Sequence, residues 1–150
     1  MRVVIQRVNS AKVKIQKVVK GNINKGLLIL VGIESGDTYD DSLWLANKIS
    51  NLRLFDDKNG LMNKSIVDIG GEVIVVSQFT LHAKTRKGNR PSFIQAAPSY
   101  KAIKIYDKFK DDLSSAISQE VQSGEFGANM EVSLINDGPV TIIIDTKNKE

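Results

Sequence analysis

The sequence predicts one α/β domain in which mixed β-sheets fold over one another and two main helices pack on one face, giving three layers. Two runs, residues 25–33 and 73–76, are almost wholly apolar, as in central strands covered on both faces. Two longer segments space their apolar residues as helices do, and several others alternate as strands. Because two helices cover only one face, part of the sheet must fold over on itself or pair with another chain.

The composition is typical of a soluble globular domain, predicted to span residues 1–150 with a frayed tail at 146–150. Cysteine is absent, which excludes disulfides, thiolate metal sites and cysteine nucleophiles. The net charge of +4 permits a polyanionic partner without requiring one. No apolar run approaches the ~20 residues of a membrane span, and Gln6 and Arg7 interrupt the N-terminal segment too early for a signal peptide. We expect no membrane contact and a cytoplasmic location.

The first strands follow from alternation. Residues 3–8 and 13–15 alternate apolar with polar side chains, which predicts two strands separated by a turn at Asn9 and Ser10. Residues 25–33 then form a central strand.

Two segments have the spacing of amphipathic helices. The first follows capping residues at 35–38 and carries Leu45 and Ile49 on one stripe. The second is predicted to begin at Ser99 and to end at Gly124.

The chain is organised around the segment GGEVIVVSQFTL, residues 70–81, whose apolar run at 73–76 predicts a central strand buried on both faces. Its apolar run breaks into polar side chains at Ser77 and Gln78, and a loop without apolar periodicity follows at 82–91. A buried strand that ends in small polar groups beside a basic loop is a suitable place to hold a substrate.

The last two predicted strands are residues 130–135 and 140–145, joined by a hairpin turn at 136–139. The bond between Gly138 and Pro139 can be cis at a cost of about 0.5–1 kcal/mol, which would reorient the two flanking carbonyls.

Few side chains are suited to catalysis. Ser77 and Thr80 are hydroxyl candidates, and His82 could approach Thr80 along an extended strand or could be a solvated loop histidine. Gln78 could orient a carbonyl or an amine, or simply bond to neighbouring backbone. The sequence has one histidine and no HxH or HExxH spacing, so we expect no metal and no cofactor.

The loop after the organising strand carries four basic residues: Lys84, Arg86, Lys87 and Arg90. They form either a phosphate-binding rim or a solvated surface. Phe93, Tyr100 and Phe126 could stack on a base, or could belong to the core.

Together these segments resemble the D-aminoacyl-tRNA deacylase family over residues 1–145. SQFTL at 77–81 and NDGPVT at 136–141 match its two signatures in order and separation. Supporting matches are found at residues 5–8, 26–32 and 88–93.

The resemblance implies a homodimer that hydrolyses the ester bond of D-aminoacyl-tRNA, and of glycine mischarged on tRNA, without a cofactor. The Gly138–Pro139 pair of each subunit, a Gly-cisPro pair in the family, would enter the partner's site. Its two carbonyls would contact the substrate α-amino group and leave no room for an L side chain. Glycine, which has no side chain, would not be excluded.

The resemblance also implies roles for single residues. Four would line the reaction pocket: Ser77, Gln78, Phe79 and Thr80. Backbone N–H groups around Phe79 and Thr80 would stabilise the oxyanion, and water helped by the substrate 2′-hydroxyl is the preferred nucleophile. Arg7 would hold the Gly138–Pro139 turn, and Phe126 and Met130 would lie near the adenosine.

Two other functions fit the same residues. A non-catalytic tRNA-binding dimer of this fold would explain the scarcity of titratable catalytic groups. An L-selective relative would have a trans Gly138–Pro139 bond and a wider pocket.

Overall fold

The computed structural model describes residues 1–149, which form a curled six-stranded sheet, a two-stranded hairpin and two helices. The strands are β1 (Arg2–Ile15), β2 (Val18–Ile23), β3 (Gly26–Gly32), β4 (Phe55–Asp56), β5 (Met62–Lys64), β6 (Glu72–Ser77), β7 (Gln122–Ser123) and β8 (Glu131–Asp145). The helices are α1 (Tyr39–Asn51) and α2 (Ser99–Ile117), and a short 3₁₀ helix covers Phe79–His82.

The large sheet has the order β2-β1-β3-β6-β7, and β8 pairs with β1. The β3–β6 and β6–β7 pairs are parallel, whereas β1 is antiparallel to its three neighbours. The sheet curls until β2 approaches β7, where a Cβ added to Gly21 would lie 3.1 Å from the carbonyl oxygen of Ser123. The sheet is therefore nearly closed into a barrel.

Successive residues of the central strands face two different cores. In β6, Val73 and Val75 pack in the core that contains both helices, while Ile74 and Val76 pack in a second core formed with residues of β1, β2 and β3. This explains why residues 73–76 are apolar at every position. The predicted three-layer arrangement, with two helices on one face, is confirmed.

The two helices pack against each other as well as against the sheet. At the start of α1, the Thr38 N–H donates to the Asp41 carboxylate at 3.0 Å, and Leu45 and Ile49 are buried as predicted. The Ser42 hydroxyl donates to the buried Asp112 carboxylate of α2 at 2.7 Å. Neither helix of the described chain has an apolar stretch long enough to cross a bilayer.

The predicted end of the second helix at Gly124 is wrong. The helix ends at Ile117, because Ser118 adopts a left-handed conformation with φ of 54° and caps it. Val121 is nevertheless buried, so its apolar character reflects packing beyond the helix.

Two predicted turns lie instead inside long strands. Asn9 and Ser10 belong to β1, where they accompany irregularities in the register with β8. The predicted hairpin at 136–139 is a bulge in β8, because the segments on both sides of it pair with the same strand. The pairs that flank the bulge are Gln6 with Thr141 and Val8 with Asn136. Residues 137–140 therefore stand opposite the single residue between them on β1.

The organising strand, β6, ends at Ser77, where its apolar run was predicted to break into polar side chains. The Gln78 N–H still donates to the Val31 carbonyl at 2.7 Å, and the chain then turns into the 3₁₀ helix. Because β3 and β6 are parallel, both strands end at the same edge of the sheet.

The C-terminal tail is anchored at two positions where we expected fraying. Thr146 is buried and accepts a hydrogen bond from the Met1 α-amino group at 2.7 Å. The Lys147 ammonium lies 3.0 Å from the Asp41 carboxylate. Burial by itself raises the pKa of Asp41, but hydrogen bonds from Lys147, Thr146 and Thr38 hold that pKa below its usual range. Residue 150 lies outside the described residues.

Gly26 has no room for a side chain, because an added Cβ would lie 1.8 Å from the Glu72 carbonyl oxygen. We expect Gly26→Ala to lower the free energy of unfolding by about 3 kcal/mol, since the β3–β6 pair would have to separate. Urea denaturation measures this. The matched control is Gly36→Ala, where no heavy atom lies within 4 Å of the new Cβ, and its effect should stay within about 0.5 kcal/mol. If the two variants had the same urea midpoint and the same dependence of unfolding free energy on urea concentration, the steric explanation would be contradicted.

Candidate active site

A cavity of about 320 Å³ opens at the edge where β3 and β6 end. Its other walls are the beginning of α2 and the segment between β7 and β8. It is lined by Val31, Ile33, Ser77, Gln78, Phe79, Ala97, Ser99, Ala102, Phe126, Gly127, Ala128 and Met130. We call this cavity the strand-end pocket. Mostly apolar walls with a few polar groups are typical of small-molecule sites.

The strand-end pocket brings together five predicted site residues: Ser77, Gln78, Phe79, Phe126 and Met130. Sequence reasoning missed Ala97, Ala102 and Ala128, which also line the pocket. Small apolar residues carry no chemical signal in a sequence. The start of α2 could have been placed here only from the knowledge that it lies beside the ends of β3 and β6.

Thr80 is attached to the pocket through Gln78, whose Nε2 donates to the Thr80 hydroxyl at 2.5 Å. An amide does not accept the hydroxyl proton at neutral pH, so Gln78 orients Thr80 without activating it as a nucleophile. Within residues 1–149, the Thr80 hydroxyl makes no other hydrogen bond. No group of three or more His, Asp or Glu side chains in the same range could hold a metal ion.

His82 is buried, with 3% of its surface exposed, so its interpretation as a solvated loop histidine is wrong. The 3₁₀ helix places it beneath β3, where a Cβ added to Gly32 would lie 3.0 Å from the imidazole. Its Nδ1 is 4.0 Å from a Glu34 carboxylate oxygen, and its Nε2 has no hydrogen-bond partner in the described chain. It makes no hydrogen bond to Thr80, because a 3₁₀ turn does not place residues i and i+2 on one face.

The N–H groups of Phe79 and Thr80 are the first two of the 3₁₀ helix. The first N–H groups of a helix have no partner within it. Neither of these two donates a backbone hydrogen bond to any residue of the described chain. The site therefore has two unpaired backbone donors beside the polar end of β6, an arrangement that can stabilise a developing oxyanion.

The basic loop lies next to the pocket. Its two ends are joined by backbone hydrogen bonds of 2.8 and 3.0 Å between Lys84 and Ser92. Phe93 then packs edge-on against Phe79, with ring centroids 5.1 Å apart. Four exposed basic residues occupy the loop, none of them in an ion pair within residues 1–149: Lys84, Arg86, Lys87 and Arg90.

Arg7 is buried, with 6% of its surface exposed, and it anchors the β8 bulge. Its Nη1 donates to the Leu54 carbonyl at 2.6 Å, and its Nε donates to the Asp137 carbonyl at 3.2 Å. The same Nε lies 3.2 Å from the Asp137 carboxylate. Gly138 and Pro139, which follow, are exposed and are joined by a cis peptide bond.

The structure thus divides the predicted site residues into two groups. Ser77, Gln78, Phe79, Phe126 and Met130 line the strand-end pocket, whereas the Gly138–Pro139 pair is not among its lining residues. Arg7 belongs with the bulge.

Solved structures with the same architecture include one described as a probable eukaryotic D-amino acid tRNA deacylase. It superposes with a TM-score of 0.83 at 17% identity, covering 95% of this chain and 97% of that one. A c-Myc DNA unwinding element binding protein superposes with a TM-score of 0.90 at 38% identity, covering 97% and 98%. The fold is therefore that of a known class of small α/β proteins, which includes a probable deacylase.

Sequence comparison gives the family within that class. The family model described as D-Tyr-tRNA(Tyr) deacylase matches residues 4–145. Relatives from Bacteroides fragilis (60% identical) and Flavobacterium psychrophilum (59% identical), aligned over the whole of both chains, are named D-aminoacyl-tRNA deacylase. The chain belongs to this deacylase family, which confirms the resemblance found in its motifs.

Removal of the Arg7 side chain tests how the bulge is held. We expect Arg7→Ala to lower the free energy of unfolding by about 3 kcal/mol, because hydrogen bonds from a charged group to the Leu54 and Asp137 carbonyls are lost. We also expect the amide of Val140, which bonds to the Asn136 side chain at 3.2 Å, to exchange faster with deuterium. The neighbouring Gln6→Ala removes only an exposed 3.5 Å contact and should change neither quantity appreciably. Unaltered exchange at Val140 in Arg7→Ala would show that the bulge does not need Arg7.

Proposed function

We propose that the protein hydrolyses the ester bond of D-aminoacyl-tRNA and releases a free D-amino acid and tRNA. Membership of the deacylase family supports this activity, as do full-length relatives at 53–60% identity that carry the name D-aminoacyl-tRNA deacylase. The observation that carries the proposal is the pocket at the ends of β3 and β6, where Ser77 and Gln78 stand beside two unpaired backbone N–H groups. These are the groups needed to bind an ester and to stabilise its tetrahedral intermediate.

Water is the nucleophile in this proposal. Its oxygen bonds to the ester carbonyl carbon, and the Phe79 and Thr80 N–H groups stabilise the resulting oxyanion. The carbon–oxygen bond to the terminal ribose then breaks, and the ribose oxygen takes up the proton lost by the water, with the neighbouring 2′-hydroxyl assisting. Gln78 and Ser77 orient the ester, and no step requires ionisation of Thr80.

Chirality is selected by the Gly138–Pro139 pair of a second copy of the chain, whose carbonyls contact the substrate α-amino group. Three features support this role. The pair is exposed, it is anchored next to Asp137 by Arg7, and it is not among the lining residues of its own pocket. An L side chain would collide with the inserted backbone, whereas a D side chain or the hydrogen of glycine would not. Glycine mischarged on tRNA is therefore also a substrate.

The surface of β8 supports a homodimer. β8 has 15 residues and pairs with β1 alone among the described strands, so its other edge is open. Ile135 and Ile143 on this strand are 61% and 68% exposed. A long apolar edge strand is a surface that proteins normally cover, and a second copy would cover it.

The remaining predicted residues bind the tRNA end. Phe126 and Met130 line the pocket and supply apolar contacts for the terminal adenosine. The four basic residues of the 84–90 loop bind phosphates near that end. Because aminoacyl-tRNA is consumed in the cytoplasm, we place the protein there.

A second candidate is a non-catalytic nucleic-acid-binding dimer with this fold. It is favoured by the absence, within residues 1–149, of a general base in contact with Thr80. The description of the structure that is 38% identical, a DNA unwinding element binding protein, is consistent with nucleic-acid binding.

Hydrolysis of D-tyrosyl-tRNA and L-tyrosyl-tRNA at equal concentration tests the main proposal. We expect cleavage of the D form at least about 100-fold faster, because the inserted backbone rejects the L side chain at a cost of about 3 kcal/mol or more. Acid-precipitable radiolabelled aminoacyl-tRNA provides the measurement. Equal cleavage of both forms would refute chiral selection, and tight tRNA binding without cleavage of either would favour the binding dimer.

Thr80→Ala separates the two possible nucleophiles. If water attacks, we expect kcat/KM for D-tyrosyl-tRNA to remain within about tenfold of wild type, because only an orienting contact with Gln78 is lost. Thr85→Ala, in the exposed loop, is the matched control and should leave kcat/KM for D-tyrosyl-tRNA unchanged. A loss above about 1000-fold in Thr80→Ala alone would establish a threonine nucleophile.

A further inference from the structure

A second cavity, of about 710 Å³, opens between the β1–β2 hairpin and the segment that precedes β8. Three lysines of the hairpin line it, and we call them the lysine shelf: Lys14, Lys17 and Lys20. None of the three is in an ion pair within residues 1–149. The same is true of Lys12, which lies two residues before Lys14 on β1. Neither the family signatures nor the proposed mechanism uses these residues.

The backbone of the hairpin is irregular at two of these lysines, Lys17 and Lys20. Gln16 and Lys17 form a two-residue turn between the paired Ile15 and Val18, and both have positive φ, of 48° and 68°. Asparagine and glycine usually occupy such turns, because they adopt positive φ more readily. Lys20 is the extra residue of a bulge, since Val13 pairs with Gly21 while Lys14 pairs with Val19. The two irregularities direct Lys17 and Lys20 to the cavity that Lys14 also lines.

The cavity that contains the lysine shelf shares a wall with the strand-end pocket. Ala128 lines both cavities. On one side of this segment Phe126 and Met130 face the strand-end pocket, and on the other side Glu125 and Glu131 face the shelf. A polymer whose terminal residue occupies the pocket can therefore reach the shelf with the residues immediately before it.

The charge of the second cavity favours an anion. Three lysines and two carboxylates, those of Glu125 and Glu131, line this cavity, so its net charge is positive. The neighbouring surface of β1 and β2 carries Lys12 and no carboxylate among its lining residues. Lysine is a flexible point charge that contacts backbone phosphates without reading bases. Such a surface suits the single-stranded end of any tRNA, whatever its amino acid.

We propose that Lys14, Lys17 and Lys20 bind the backbone phosphates of the tRNA nucleotides that immediately precede the terminal adenosine. This inference rests on the proposed function, because it takes the adenosine to lie beside Phe126 and Met130. The shelf is separate from the 84–90 loop, which joins the pocket through Phe79 and Phe93. The tRNA end is thus held by phosphate contacts at two places on the rim of the pocket.

The triple variant Lys14→Gln/Lys17→Gln/Lys20→Gln tests the shelf in the full-length protein. The matched control is Lys48→Gln/Lys58→Gln/Lys64→Gln, which lowers the net charge equally with lysines from α1 and the β4–β5 hairpin. We expect the dissociation constant for uncharged tRNA to rise about tenfold or more in the shelf variant and less than about threefold in the control. The slope of log K against log salt should become shallower by about 2 in the shelf variant only, as for three lost single-strand phosphate contacts.

Two further measurements separate tRNA binding from pocket damage. In the shelf variant, kcat/KM should fall about tenfold on D-tyrosyl-tRNA and should be unchanged on D-tyrosyl-adenosine, which has no preceding phosphate. Glu131→Gln removes a carboxylate from the same cavity and should tighten tRNA binding about twofold, a sign opposite to that of the lysine changes.

The shelf is overturned by equal weakening in the control variant, by an unchanged salt slope, or by equal loss of kcat/KM on both substrates. Failure of the proposed function gives a different result. Wild-type protein would then hydrolyse neither substrate, while the binding of uncharged tRNA and its salt slope would still decide the shelf.

Discussion

The burial of β3 and β6 on both faces is the constraint on which the rest of the structure depends. Strands covered on both sides need two cores, and these are the helix-containing core and the core inside the curl of the sheet. The parallel pairing of the two strands also brings their ends to one edge, since Val31 pairs with Ser77 there. The pocket follows from this pairing, because polar residues begin on β6 just where the covering layers end.

The site depends on backbone groups more than on titratable side chains. Gln78 and Thr80 bond to each other, and His82 is buried beneath β3 and makes no hydrogen bond to either. The groups proposed to contact the substrate are the unpaired N–H groups of Phe79 and Thr80 in the 3₁₀ helix and, in the proposed dimer, the carbonyls of Gly138 and Pro139. Backbone groups are held by secondary structure, so their positions depend little on rotamers or pH. Arg7 is an example, because this buried charge donates hydrogen bonds to the Leu54 and Asp137 carbonyls and so holds the β8 bulge in place.

Much of the fold could be predicted because its signals are local. The apolar runs, the helical spacing around Leu45 and Ile49, and the capping residues before α1 each depend on near neighbours in the chain. Of the five predicted residues that line the pocket, Ser77, Gln78 and Phe79 were found through a motif, and Phe126 and Met130 through the wider family resemblance. Neither kind of match says where a residue lies in the folded chain. The pocket walls from Ala97 and Ala102 had no such signal.

The sequence by itself determined the fold class, the family and five of the twelve pocket residues, because periodicity and motifs are written along the chain. Only the tertiary structure decided that the turn-like residues at 9–10 and 136–139 lie within strands. Turn residues express a local preference, and the long β1–β8 pairing outweighs it by satisfying backbone hydrogen bonds on both sides. The burial of His82 and the meeting of the lysine shelf with the pocket were decided in the same way, since both depend on segments far apart in sequence that only packing brings together.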